Sequence, residues 1–252
     1  MVIYRLLILL FLINLVVGCN SDKHKKLRIA VASNLSEPIT LIGNNYQIDF
    51  DIKVEVITGS SGKLMAQILH GAPYDIFISA DIQYLNLLKD QNELYEDPVI
   101  FVEGKLILWT LQDSQDSDLQ LLLSENVEKI AIPNPEIAPY GKAAKEVLIN
   151  LNLWDHIKHK LVFGESVTQT NQFLLTEAVQ AGITSQSLIH SPNFTSDGQW
   201  NEINNSLHQP ISHGIAILNS SSNPEASKNF IDFLNKDDTI NLLKEFGYTI
   251  SL

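Results

Sequence analysis

Four short segments of this 252-residue chain combine hydroxyl, amide and glycine residues in a way suited to holding an anion. They are Ala32-Ser33-Asn34, Gly59-Ser60-Ser61-Gly62, Pro139-Tyr140-Gly141 and Glu165-Ser166-Val167. Each lies between a β-rich apolar run and a segment that leads into helix. At such a junction the first backbone N–H groups of the helix have no intrahelical acceptor, and the helix dipole adds partial positive charge. In an open α/β sheet these junctions sit at the carboxyl ends of the strands, where ligands bind. Singly, each segment reads as an ordinary N-cap or turn. Four of them in one chain point to a shared anion site.

The rest of the composition narrows the kind of anion. After the apolar leader the sequence holds one arginine, Arg28, at the start of the first strand and so at the end opposite the junctions. A bidentate guanidinium clamp of the kind that grips phosphate or carboxylate is hard to build from it. Neutral hydroxyl and amide donors without a carboxylate acceptor suit an oxyanion that is fully deprotonated at neutral pH, because such a ligand only accepts hydrogen bonds. A monoprotonated phosphate asks for an acceptor too. Sulfate-like or molybdate-like dianions are favoured, unless folding brings a carboxylate such as Asp81 close. About seven such donors at roughly 1.5 kcal/mol each correspond to a dissociation constant of roughly tens of nanomolar.

Other chemistries fit less well. Gly59-Ser60-Ser61-Gly62-Lys63 invites a phosphate-loop reading, but Leu64 stands where that motif needs Ser or Thr. A hydrolase using Ser61 or Ser33 as nucleophile is an alternative, yet the segment is one residue short of the nucleophile elbow. None of the seven histidines is an obvious base, and His156 and His159 read as a solvated helix end. The carboxylates and histidines follow no metal-ligand spacing. No catalytic residue and no cofactor are expected. Asp75 and Asp81 are expected to be structural, in a turn and a helix cap.

To bring the junctions together, the elements must alternate. Strands are read at Arg28–Ala32, Lys53–Thr58, Asp75–Ser79, Lys105–Thr110, Lys129–Pro133, Lys160–Phe163 and Gly214–Leu218. Helical spacing of apolar residues occupies Lys63–Leu69, Asp81–Lys89, Lys142–Leu151 and Thr168–Val179, with two short helices over Pro224–Phe246. That alternation predicts a parallel α/β architecture. Ser185–Gln209, rich in Ser, Asn, His and Pro, reads as surface loop.

The N-terminus has the layout of a secretory signal: Arg5, an apolar run from Leu6 to Val17, then Gly18-Cys19. The run is too short to span a bilayer. Cys19 is the only cysteine, so no intrachain disulfide forms, and Val16-Val17-Gly18-Cys19 resembles a lipobox, although Leu15 stands one place early. Residues 1–18 are expected to be cleaved and Cys19 acylated. Cleavage removes one of 17 basic residues and none of the 29 acidic ones, leaving a formal charge of −13. That surface argues against nucleic acid or acidic lipid as partner.

At the same junction residues the chain resembles the molybdate-binding component of bacterial molybdate ABC importers, a type II periplasmic binding protein. The resemblance runs through Ile29-Ala30-Val31-Ala32-Ser33-Asn34-Leu35, Thr58-Gly59-Ser60-Ser61-Gly62-Lys63-Leu64 and Gly71-Ala72-Pro73-Tyr74-Asp75. It continues over Ile76-Phe77-Ile78-Ser79-Ala80-Asp81, Ala138-Pro139-Tyr140-Gly141-Lys142-Ala143-Ala144, Gly164-Glu165-Ser166-Val167 and Phe246-Gly247-Tyr248. It implies oxyanion contacts from the hydroxyl and amide of Ser33, the amide of Asn34, the hydroxyl and amide of Ser61, and the amides of Tyr140 and Val167. Some members add a tyrosine where this chain has Ser185. Molybdenum would be present only as the bound oxyanion, molybdate or tungstate. The resemblance further implies two α/β lobes joined by a two-strand hinge: residues 27–104 with 214–252, and residues 105–213 inserted between them. Residues 19–26 would be a lipid-anchored tether outside the cytoplasm. A monomer delivering its ligand to an ABC permease is expected, with sulfate as the alternative ligand.

Overall fold

The computed structural model of the protein describes residues 26–111, 118–191, 194 and 198–251. The signal segment, Cys19 and the tether up to Lys25 lie outside them. Among the described residues no helix is long and apolar enough to cross a membrane.

The strands form two sheets. In chain order they are β1 (Lys26–Ala32), β2 (Lys53–Gly59), β3 (Ile76–Ser79), β4 (Val99–Gly104), β5 (Leu106–Thr110), β6 (Ile130–Pro133), β7 (Leu161–Gly164), β8 (Ala181–Ser185), β9 (Gln199–Glu202), β10 (Ile211–Ile217) and β11 (Thr249–Ile250). The first sheet runs β11-β4-β10-β3-β1-β2 and the second β7-β6-β8-β5-β9. The helices are α1 (Ser36–Phe50), α2 (Ser61–Leu69), α3 (Ile82–Asp90), α4 (Pro139–Asn150), α5 (Trp154–Ile157), α6 (Val167–Leu175), α7 (Pro224–Leu234) and α8 (Asp237–Glu245).

The α/β class is as expected, but neither sheet is wholly parallel. β1 runs parallel to β2 and β3, and β6 parallel to β7 and β8. β10 runs antiparallel to β3 and β4, and β5 antiparallel to β8 and β9. The antiparallel members are the strands by which the chain leaves one lobe and re-enters the other. β4 passes into β5 through the single residue Lys105, and the return from β9 to β10 uses residues 203–210.

Each lobe is a sheet between helical layers. Along β1, Leu27, Ile29 and Val31 point into a core with Ile39, Ile42 and Tyr46 of α1 and Phe230, Phe233 and Leu234 of α7. The alternate Ala30 faces α2 and α3 through Leu64, Ile68, Leu85 and Leu88. In the second lobe β5 and β6 turn Leu108, Ile130 and Ile132 toward α4 and α5, and Ile107 and Ala131 toward Leu174 of α6. Ala32 and Ala80 of the first lobe join the second lobe's larger core, so apolar packing is continuous across the cleft.

Several expectations need correction. The strand expected at Gly214–Leu218 begins at Ile211, where Ile211 pairs with Gly104, because buried Ile211 and His213 face inward. Ser185–Gln209 is not all loop: Gln199–Glu202 forms the edge strand β9, whose half-exposed polar sequence carries no apolar period. α1 was not foreseen, because Gly43-Asn44-Asn45 interrupts its apolar spacing with poor helix formers. β8 gives no apolar run in residue type, because Ala181-Gly182-Ile183-Thr184-Ser185 is mostly small residues, although all five are buried.

Candidate anion site

The four junctions meet at the carboxyl ends of β1, β2, β6 and β7. Ser33 and Asn34 open the 3-10 turn Ser33–Leu35 that follows β1. Ser61 is the first residue of α2, Tyr140 the second residue of α4, and Val167 the first residue of α6. All three amides therefore fall in the first turn, where no intrahelical acceptor exists. Gly141 permits the placement of Tyr140: a Cβ there would lie 2.1 Å from the Pro133 carbonyl oxygen, so only glycine lets α4 start so close to the end of β6.

Ser33, Asn34, Ser61, Tyr140 and Val167 line one small cavity together with Ala32, Gly59, Ser60, Ala80, Ala138 and Pro139. It is small: about 10 Å3 of it is open to the centre of a water-sized body. No charged side chain contributes to the lining. The five expected residues come from both lobes and are all buried. The Ser61 hydroxyl accepts a hydrogen bond from the Ala80 amide at 3.0 Å, which leaves its own proton to donate. Ser166 acts as a plain cap, accepting from the Gln169 amide at 3.3 Å. A larger hollow of about 410 Å3 adjoins Ser33 and Asn34 on the other side. Its lining includes the Glu37 carboxylate with apolar Leu175, Leu188 and Phe246, so it lacks the all-neutral donor set.

The lobes are drawn together at the cleft. The Gly62 amide donates to the Ile137 carbonyl across it at 3.0 Å, and Lys63 pairs with Glu165 at the exposed rim. Behind the cavity lies a buried polar cluster. Asn34 Nδ2 donates to His213 Nε2 (2.6 Å) and Tyr248 Oη (2.9 Å), with Tyr140 Oη at 3.3 Å. The Tyr248 and Ser187 hydroxyls both donate to the Asn34 carbonyl, at 2.8 and 3.0 Å. His213 Nδ1 lies 3.1 Å from the Ile211 carbonyl, which fits a neutral ring that donates there and accepts at Nε2. Burial lowers the His213 pKa to about 3, because no anion compensates an imidazolium at that depth. Burial likewise raises Tyr248 to about 12 and holds Tyr140 well above the usual phenol value.

Reading residue types alone missed much of this. Ser60, buried in the cavity wall, carries no signal in residue type that sets it apart from Ser61. Tyr248 has no signal beyond its place in Phe246-Gly247-Tyr248, and His213 carries no local signal because its role depends on Asn34, 179 residues away. Ser185 does not line the cavity; its hydroxyl meets that of Ser187 at 2.9 Å. Asp75 and Asp81 are structural: Asp75 accepts from the Arg28 and Ser222 amides, both at 2.8 Å, and Asp81 caps α3. His156 and His159 are exposed. Among the described residues no group of three or more His, Cys, Asp or Glu is placed to hold a metal ion.

Known proteins resemble the chain in sequence and in fold. The chain is 30% identical over 225 residues to a molybdate-binding protein ModA of Azotobacter vinelandii, covering 88% of this chain and 89% of the relative. It is 30% identical over 247 residues to a putative ABC transporter substrate-binding lipoprotein, YvgL, of Bacillus subtilis, covering 93% of each. The solved periplasmic molybdate-binding protein of Azotobacter vinelandii superposes with a TM-score of 0.83 at 27% identity, over 90% of this chain and all of that one. The profile of a family described as bacterial extracellular solute-binding protein matches residues 27–249. Two α/β lobes closing on one small cavity, matched over nearly the whole described length, make this chain a member of the bacterial extracellular solute-binding protein family.

Proposed function

We propose that the protein captures a fully deprotonated tetrahedral oxyanion, molybdate or tungstate, outside the cytoplasm and passes it to the permease of an ABC importer. The observation that carries this reading is the lining of the cavity: hydroxyls and first-turn amides from both lobes, with no charged side chain. Such a lining offers donors and no carboxylate, which favours an anion with nothing to donate. In this reading the ligand takes hydrogen bonds from the hydroxyl and amide of Ser33, the amide of Asn34, the hydroxyl and amide of Ser61, and the amides of Tyr140 and Val167. Burial in a closed cleft strengthens each of them relative to water. The molybdate-binding relatives support the choice of ligand.

The protein acts as a monomer in this reading. Its lobes exchange chain at Lys105 and within residues 203–210, and Cys19 carries a lipid that holds the protein at the membrane. The lipoprotein name of the Bacillus relative supports the anchor.

The test is calorimetric titration of the mature chain with sodium molybdate, then tungstate, sulfate and phosphate in separate runs. Submicromolar binding of molybdate and tungstate with silence for sulfate is expected. Sulfate binding at equal strength would move the ligand class to sulfate, and silence with all four anions would overturn the reading.

A further inference from the structure

Ser60 stands at the N-cap of α2 with extended backbone angles, φ −69° and ψ 148°, the conformation in which a serine hydroxyl ordinarily accepts from the second or third helical amide. Its side chain makes no such bond. The second amide, that of Gly62, is instead given to the Ile137 carbonyl across the cleft. The Ser60 carbonyl takes part in the helix normally, accepting from the Leu64 amide at 3.0 Å. Ser60 as a whole is 3% exposed, its hydroxyl finds no hydrogen-bond partner among the described residues, and the residue lines the cavity with Ser61, Ala80 and Ala138.

A buried hydroxyl without a partner is uncommon in a folded protein, because its desolvation goes uncompensated. Here the unpartnered hydroxyl belongs to a residue of the cavity wall, beside the hydroxyl and first-turn amide of Ser61. The adjoining Ser61 hydroxyl is already fixed by the Ala80 amide, so the N-cap residue and the first residue of α2 each bring a hydroxyl to the same cavity wall. We infer that the Ser60 hydroxyl is a further donor to the bound oxyanion, an addition that rests on the site reading above. The residue has exchanged capping for ligand binding. The Gly62–Ile137 bond takes up the amide it would have capped, and an oxyanion takes up its proton.

The test is titration of the full mature chain, and of its Ser60→Ala, Ser60→Gly and Ser61→Ala variants, with sodium molybdate, alongside thermal melts without ligand. Ser60→Ala is expected to weaken molybdate binding about tenfold, as loss of one donor to a charged acceptor does. Its ligand-free melting temperature should stay unchanged, because no cap bond is lost. Ser60→Gly keeps the cap geometry and provides the same readout if the alanine variant fails to fold. Wild-type affinity in both Ser60 variants, with binding weakened in Ser61→Ala, would overturn this inference and leave the site reading standing. A lowered ligand-free melting temperature with unchanged affinity would make Ser60 a helix cap only. Absence of molybdate binding by the wild-type chain would remove the site reading and this inference with it.

Discussion

The cavity and the cluster behind it are built from the same kinds of group, yet they end in opposite states. In front, Ser60, Ser61 and the first-turn amides of α2, α4 and α6 face a small space with donors still to give. Behind, the side-chain nitrogen and carbonyl of Asn34 with Tyr140, Ser187, His213 and Tyr248 bond to one another, and the Asn34 side-chain oxygen is left without a partner among the described residues. Two residues belong to both regions. Asn34 and Tyr140 place their backbone at the cavity and their side chains in the cluster. Residue type does not make a binding site. Helix starts leave donors unspent, and buried side chains that can reach each other use them up.

The largest effect is expected where the two regions share a wall. A Cβ on Gly104 would lie 1.9 Å from Tyr140 Oη and 2.8 Å from His213 Cε1. Gly104→Val should therefore push the cluster apart, prevent the lobes from meeting, and abolish measurable molybdate binding by calorimetry, through a residue absent from the cavity lining. A Gly104→Val protein that bound normally would show that the cluster and the cavity are independent. Next comes Ser61→Ala, which removes a donor to a charged acceptor at about 1.5–3 kcal/mol and should weaken binding roughly tenfold to hundredfold. Its melting temperature without ligand should also fall, since the Ala80 amide loses its acceptor.

Tyr248→Phe sharpens the contrast from the other side. It removes one of two hydroxyls on the Asn34 carbonyl, worth about 1 kcal/mol, and should lower the ligand-free melting temperature by about 2–4 °C while changing molybdate affinity only severalfold. The pH dependence has the same origin. His213 is held neutral, with its pKa lowered to about 3 against an unfolded value near 6.5, so between those values the unfolded chain binds more protons than the folded one. Stability should be fully present above about pH 6.5 and decline as pH falls from there toward 3, measured by thermal melts in a pH series. The smallest effect is expected at the rim. Lys63 and Glu165 are exposed, so Glu165→Gln should change affinity less than about threefold and only at low salt, and His156→Ala should do nothing measurable.

The central strands and most crossover helices were legible because β1, β3 and β6 are runs of buried apolar residues bounded by turn residues, and α2, α3 and α4 keep their apolar period. Elements whose identity rests on a neighbour were not. β8 is recognisable only as the strand lying between β5 and β6, and β9 only as a polar edge laid along β5. The junction residues of the site were legible for a local reason: a serine or glycine where a strand hands over to a helix marks unpaired amides whatever the rest of the fold does.

Sequence alone determined the donor inventory, the scarcity of arginine, the acidic balance and the alternation that makes an α/β protein. All of these follow from residue type and short-range spacing. Only the tertiary structure decided which donors converge and which are consumed. Whether Asn34 meets His213 and Tyr248, whether Gly62 gives its amide to Ile137, and whether Ser60 caps its helix or faces the cavity each depend on contacts across tens to hundreds of residues. Hydrogen bonding saturates: a donor has few protons to give, and only the closed packing of the two lobes assigns them.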